Sequence, residues 1–230
     1  MAKKILQLER EEWRRREYRR LILQAAERVI VSKGMSATTM DDVAREAEFS
    51  KATLYHYFAG KSGLLLEILA NFFDEIAQGL QRISRGPATA REKLKESIRF
   101  YLDYNQQKEN VARMLWMDRE FRDKMSIFVA DERRLTSEAD LKFLDEMKHR
   151  RKGILDSVAR IIEEGVGSGE FRAIDVAAAV TVLEATLQGY CHLRSWHDPA
   201  YTVQEATGFI HELILRGMQK SGTKTKGVSR

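Results

Sequence analysis

Apolar residues first gather into a face at Leu21, Ile22, Ala25, Ala26, Val29 and Ile30. That i, i+1, i+4, i+5 spacing predicts a helix from about Glu9 to Lys33, stopped by Gly34, which takes left-handed backbone without a Cβ penalty. Upstream, REEWRRREYRR is charged all round and is expected to project beyond the core. Thr39 is placed to cap a second helix, with Asp41 and Asp42 in its first turn where negative charge complements the helix dipole. Val43, Ala44 and Ala47 form its inner side, and it is expected to end around Glu48. Ser50 then caps a short third helix running through about Tyr57. Two helices of about eight residues joined by about three make a helix-turn-helix over about 39–58.

The pattern stays helical to the end. Leu64, Leu65, Ile68, Leu69, Phe72, Phe73 and Ile76 predict a long helix from Lys61 that fades towards 84-SRGPATA-90, where Gly86 and Pro87 break the chain. Leu94, Ile98, Tyr101 and Leu102 mark another over about 88–108, and a less regular pair is expected over about 109–133. A helix over about 137–165 leads into the turn 165-GVGSGEFR-172, Asp175 caps one through about Trp196, and a last one covers about 203–218 after Pro199. The polar tail 219–230 is expected to be disordered. The fold class is therefore all-α: a three-helix head over 1–62 and a larger helical body over 63–218.

Charge sharpens the division. The net charge of +5 is carried mostly by residues 1–62, with 13 Lys/Arg against 9 Asp/Glu, while the remainder has 26 against 25. A basic head on a nearly neutral body suits a polyanion partner. The lone Cys191 excludes an intramolecular disulfide and a multi-cysteine zinc site. No apolar run approaches the roughly 18 residues of a membrane span, and the N-terminus meets charge too early for a signal peptide. A cytoplasmic protein with no membrane partner and no cofactor is expected. No nucleophile–base set, metal cluster or phosphate loop supports an enzyme.

In a helix-turn-helix the second helix enters the major groove of double-stranded DNA and must divide its faces between core and duplex. In 50-SKATLYHYFAGKSGLL-65, Leu54 and Phe58 share one side and are expected to anchor it. Lys51, Ala52, Thr53, Tyr55, His56 and Tyr57 are left for the other surfaces. Tyr55 and Tyr57 are candidates to place hydroxyls on phosphates, and packing within a small head is the alternative for both. Lys61, among free backbone N–H groups at a helix start, is a phosphate grip, as is the capping Thr39. Lys51 or His56 suits guanine N7/O6, and Ala52 or the Thr53 methyl suits a thymine methyl. The RRREYRR run fits either an arm to DNA or a solvated helical extension.

The run RRLILQAAERVIVSKGMSATTMDDVAREAEFSKATLYHYFAGKSGLLLEIL resembles the DNA-binding head of the tetracycline-repressor (TetR) family of bacterial regulators. Ala25, Ala26, Gly34, Thr38, Thr39, Val43, Ala44, Ala47, Ser50, Thr53, Leu54, Tyr55, Tyr57, Phe58, Lys61 and Leu64 carry the likeness. The resemblance implies a homodimer that represses transcription from an operator until a small-molecule effector releases it. It also implies that Lys51, Ala52, Thr53, Tyr55, His56, Tyr57 and Lys61 face DNA. One departure stands out: Glu48 occupies a turn position where the family usually has glycine, and a side chain at positive φ is strained by about 1–2 kcal/mol.

Met and aromatic enrichment in the body favours an adaptable apolar cavity, with Phe100, Tyr101, Tyr104, Met114, Met117, Phe121, Met125, Phe128 and Tyr190 as candidate lining. Each of these also fits plain core. By the resemblance, the helices over 175–196 and 203–218 are dimer elements, with Ala179, Leu183, Leu187, Phe209, Ile210 and Leu213 on their apolar faces. Closing the protomer's own core is the alternative. Two rivals to a specific regulator are a small-molecule carrier or enzyme built on a helical body with a vestigial head, and a sequence-indifferent DNA organiser.

Overall fold

The computed structural model describes residues 2–34, 36–109, 111–112, 138–196 and 201–218. Among them the regular elements are helices alone: α1 (Ala2–Lys33), α2 (Met40–Glu46), α3 (Lys51–Tyr57), α4 (Lys61–Ser84), α5 (Ala90–Gln107), α6 (Glu138–Ser168), α7 (Val176–Trp196) and α8 (Val203–Met218). Apart from Glu109, Val111 and Ala112, the pair expected over 109–133 lies outside the described residues, as does the tail over 219–230. None of the described helices is long and apolar enough to cross a membrane. The chain divides into two compact units, the described residues of Met1–Asp74 with Lys108–Lys148, and those of Glu75–Gln107 with His149–Arg230.

In the first unit, the inner face of α1 is fully shielded at Ile22, Ala25 and Ala26, and meets Val43 of α2, Leu54 of α3 and Leu64, Ile68 and Leu69 of α4 in a shared core. Gly34 ends α1 with φ 81°, its N–H donating to the Ile30 carbonyl at 2.9 Å, the single-bond left-handed stop expected from the sequence. α1 begins seven residues earlier than its apolar face implies, because straight-chain Arg, Glu, Lys and Gln hold a helix without a buried side. The charged run does not wholly project. Tyr18 packs on Phe49 with ring centroids 4.9 Å apart, and Arg19 is tied into the head.

In the second unit the GEFR turn is a staple. Gly169 takes φ 81° just after α6, which runs one turn further than expected. The Glu170 carboxylate accepts from the backbone N–H groups of Ala90 at 3.2 Å and Arg91 at 3.1 Å, capping α5. Those bonds, that from Arg91 first, hold its pKa below the usual carboxylate value. Phe171 is buried against Gly165, where an added Cβ would lie 2.2 Å from the ring. Arg172 donates from its side chain to the Gly217 carbonyl at 2.9 Å and from its backbone to the Met218 carbonyl at 2.8 Å, closing the C-terminus of α8. Four residues thus fasten the end of α6 to the start of α5 and the end of α8.

Candidate nucleic-acid interface

The interface is built on two capped helices and a tight turn. Thr39 caps α2 reciprocally: the Asp42 N–H donates to its hydroxyl oxygen at 3.2 Å, and its own N–H donates to the Asp42 carboxylate at 3.2 Å. Lys33 holds the same carboxylate at 2.6 Å, and these bonds, that from Lys33 first, lower the Asp42 pKa to about 2. Ser50 caps α3 by accepting from the Thr53 N–H at 3.0 Å.

Between the two helices, Glu48 has φ 58°, the one non-glycine residue at positive φ among the described residues. Its N–H donates to the Arg45 carbonyl at 3.2 Å, and the Phe49 N–H donates to the Ala44 carbonyl at 3.0 Å. These are the paired bonds of a Schellman stop, with the glutamate in the left-handed position that glycine commonly fills. The turn geometry is therefore kept despite the side chain.

α3 divides as its pattern predicts. Leu54 is fully buried and Phe58 nearly so, whereas Tyr55 is 52% exposed. Lys51, Ala52 and His56 are also exposed, and Thr53 and Tyr57 are half-buried. Tyr57 stands edge-on to Tyr18 at 6.1 Å and to His56 at 5.2 Å between ring centroids, so its ring joins the packed head to the exposed face of α3.

The candidate contacts differ in their freedom. Lys51 pairs with Asp41 of α2 at 2.8 Å, which raises its pKa, but both groups are over half exposed and the pair stabilises little. Lys61 donates to the Ser36 carbonyl at 3.3 Å, holding the start of α4 to the loop before α2. The Thr39 hydroxyl already donates to Asp42 at 2.8 Å, so a phosphate contact there requires an exchange of partners.

Arg19 was not singled out by the sequence pattern. Its guanidinium donates to the Tyr57 carbonyl at 2.9 Å, pairs with Glu67 of α4 through both carboxylate oxygens, and lies 4.8 Å from the centre of the Phe58 ring. One side chain thereby closes the C-terminus of α3 onto both flanking helices. Its only sequence signal is its position one turn before Ile22 and Leu23.

In the body, Phe100 packs over Gly79 of α4, where a Cβ would meet its ring at 2.0 Å, and stacks on Tyr104 at 6.0 Å. Tyr104 donates to Glu75 at 2.7 Å. Tyr101 instead turns to α7, and burial raises its phenol pKa, with Cys191 and Glu184 adding to the shift. Tyr190 is half-buried on α7. Met114, Met117, Phe121, Met125 and Phe128 lie outside the described residues. The expected dimer set splits: Leu183, Leu187 and Ile210 are buried within the chain, Ala179 is half-buried, and Phe209 and Leu213 are 70% and 57% exposed.

Known proteins share this architecture. Residues 22–68 match the family described as bacterial regulatory proteins, tetR family. An uncharacterised HTH-type transcriptional regulator of Bacillus subtilis, YhgD, is 28% identical over 87% of this chain and 96% of its own. The transcriptional repressor KstR2 of Mycobacterium tuberculosis is 24% identical over 87% of this chain and 92% of its own. The regulator FadR of Bacillus subtilis, solved with stearoyl-CoA, shares the fold with a TM-score of 0.65 at 23% identity, over 86% of this chain and 98% of that one. With its helix-turn-helix intact and a helical body behind it, the chain is a DNA-binding transcriptional regulator of the TetR family.

Proposed function

We propose that the protein is a sequence-specific repressor that binds operator DNA as a homodimer and is released by a small, largely apolar effector. The carrying observation is the division of α3: Leu54 and Phe58 pin it down while Lys51, Tyr55 and His56 stay in solvent. On this reading residues 1–62 bind DNA, with Ala52, Thr53, Tyr55 and His56 in the major groove and Thr39, Lys51, Tyr57 and Lys61 on or near phosphates. Residues 63–218 bind the effector and form the dimer, through the exposed Phe209 and Leu213. The repressor name of KstR2 and the stearoyl-CoA bound by FadR of Bacillus subtilis support repression and an apolar effector.

Release requires the effector to bind the DNA-free state more tightly than the bound one; each factor of ten between them is about 1.4 kcal/mol. α4 is the covalent route for that signal, since it runs unbroken from Lys61 to Ser84 through the boundary between the two units. Repeated selection from a random duplex pool tests the reading. A near-palindrome with half-sites about 10 base pairs apart, or a multiple of that, is expected to enrich. A pool that stays random would remove sequence-specific regulation and leave a DNA organiser.

A further inference from the structure

Two buried donor atoms on the inner side of α7 have no hydrogen-bond partner among the described residues. Helical geometry sets Tyr190, Cys191 and Arg194 within an arc of about 100° that also contains the buried Leu183 and Leu187. The opposite arc holds the exposed Val182 and Leu193. On the inner arc, the Tyr190 hydroxyl and Nη1 of Arg194 are closed off from solvent, and neither has a hydrogen-bond partner among the described residues. They are four residues apart and so stand one above the other on the helix. A buried polar atom without a partner is costly, so two such donors together on one face of two half-buried side chains mark a place where a ligand completes the bonding.

Among the described residues of α7, and at Tyr101 facing it from α5, none supplies a negative charge to Arg194. Cys191 is buried, and loss of solvation pushes its thiol up to about 12, so it is neutral at pH 7. Tyr101, facing α7 from α5, is kept neutral by burial as well. The only carboxylate on α7, Glu184, is engaged by Arg151 at 2.6 and 2.9 Å and by Gln188 at 3.0 Å. It also lies about 15 Å along the helix from Arg194, at a rise of about 1.5 Å per residue.

We infer that Tyr190 and Arg194 form the polar end of the effector site and hold an anionic oxygen group, carboxylate or phosphate, at the end of an apolar chain. A guanidinium only donates, and a phenol beside it has its O–H free, so the pair selects an acceptor, and the positive charge selects an anion. The inference rests on the reading of the body as an effector domain and gives that effector its chemical class.

Calorimetric titration of the full chain with dodecanoate, dodecyl phosphate and dodecanol, each below its aggregation concentration, tests it without DNA. The wild-type chain is expected to bind at least one anion ten-fold or more tighter than the alcohol, and the stronger of the two anions identifies the head group. Arg194→Met should bring that anion to within about three-fold of dodecanol, and Tyr190→Phe should weaken it several-fold while leaving dodecanol unchanged. Removing a guanidinium with a buried, unpartnered N–H should also leave the melting temperature of the ligand-free Arg194→Met chain equal or higher. Absence of anion preference in the wild type, a preference that survives Arg194→Met, or a lower melting temperature in that variant overturns the inference. Operator release is read separately. Release by dodecanol alike in wild type and Arg194→Met counts against this site and not against effector control, whereas Arg194-dependent anion binding without release counts against effector control alone.

Discussion

At the scale of single residues, Glu48 shows most directly how a local rule yields to the fold. Its left-handed backbone is imposed by the Schellman bonds that end α2 and aim α3. Glycine there would remove strain of about 1–2 kcal/mol and add an unfolded-state entropy cost of about 0.5–1 kcal/mol. Glu48→Gly is therefore expected to stabilise the protein by about 0.5–1 kcal/mol in chemical denaturation, with DNA affinity unchanged. Arg19 is the opposite case, a surface residue by sequence that proves to be a joint. Arg19→Met loses the bonds to the Tyr57 carbonyl and Glu67, at about 1–3 kcal/mol for charged hydrogen bonds. It should weaken operator binding through misplacement of α3 rather than lost charge, so Arg19→Lys should restore little, a lysine being unable to reach both partners in the same plane. Lys61→Ala tests a different role: binding to all sequences falls, and the slope of log affinity against log salt flattens by about one. An unchanged slope would take Lys61 off the list of phosphate contacts.

Among the elements, the helices were legible wherever an apolar face met a capping residue. Gly34, Thr39, Ser50 and Asp175 stand at the ends assigned to them, with Asp175 accepting from the Ala178 N–H at 3.0 Å. Two further caps, Thr89 with Glu92 and Thr202 with Glu205, follow the same Thr-x-x-acid spacing as Thr39 with Asp42. What was not legible is long-range. Nothing in local spacing says that Glu170 caps α5 or that Phe171 needs the bare backbone of Gly165, because both partners lie on other turns or helices. Gly165→Ala places a Cβ 2.2 Å from that ring and should cost about 1–3 kcal/mol as overpacking. The capping carboxylates also set an acid limit. Asp42, Glu92, Glu170 and Glu205 are all lowered from ordinary values of 3.8 for Asp and 4.5 for Glu. The folded state thus binds fewer protons than the unfolded one below those values, and the stability these caps supply is full above about pH 5 and lost as pH falls. Melting temperature is expected to drop between about pH 4.5 and pH 2, the lower end set by Asp42 with its pKa of about 2. A flat profile there would mean that the caps do not hold the helices.

For the whole molecule, the basic head and neutral body follow from composition, and the family follows from the head, while the partner of each surface depends on burial that pattern alone does not give. Leu183, Leu187 and Ile210 lie on the apolar faces of α7 and α8 yet are spent inside one chain, leaving Phe209 and Leu213 outward on α8. If those two carry the homodimer, Phe209→Asp should shift the mass in solution from twice 26.6 kDa to 26.6 kDa by light scattering. Operator affinity would fall with it, since one head engages only half a palindrome. The central claim, that α3 reads sequence, is tested most directly by titrating the protein against duplex from upstream of its own gene and against random duplex at one fixed salt concentration. The account predicts binding tighter by about 10³ or more for the first, with most of that ratio lost in a Tyr55→Ala, His56→Ala double variant. Equal affinity for the two duplexes would contradict it.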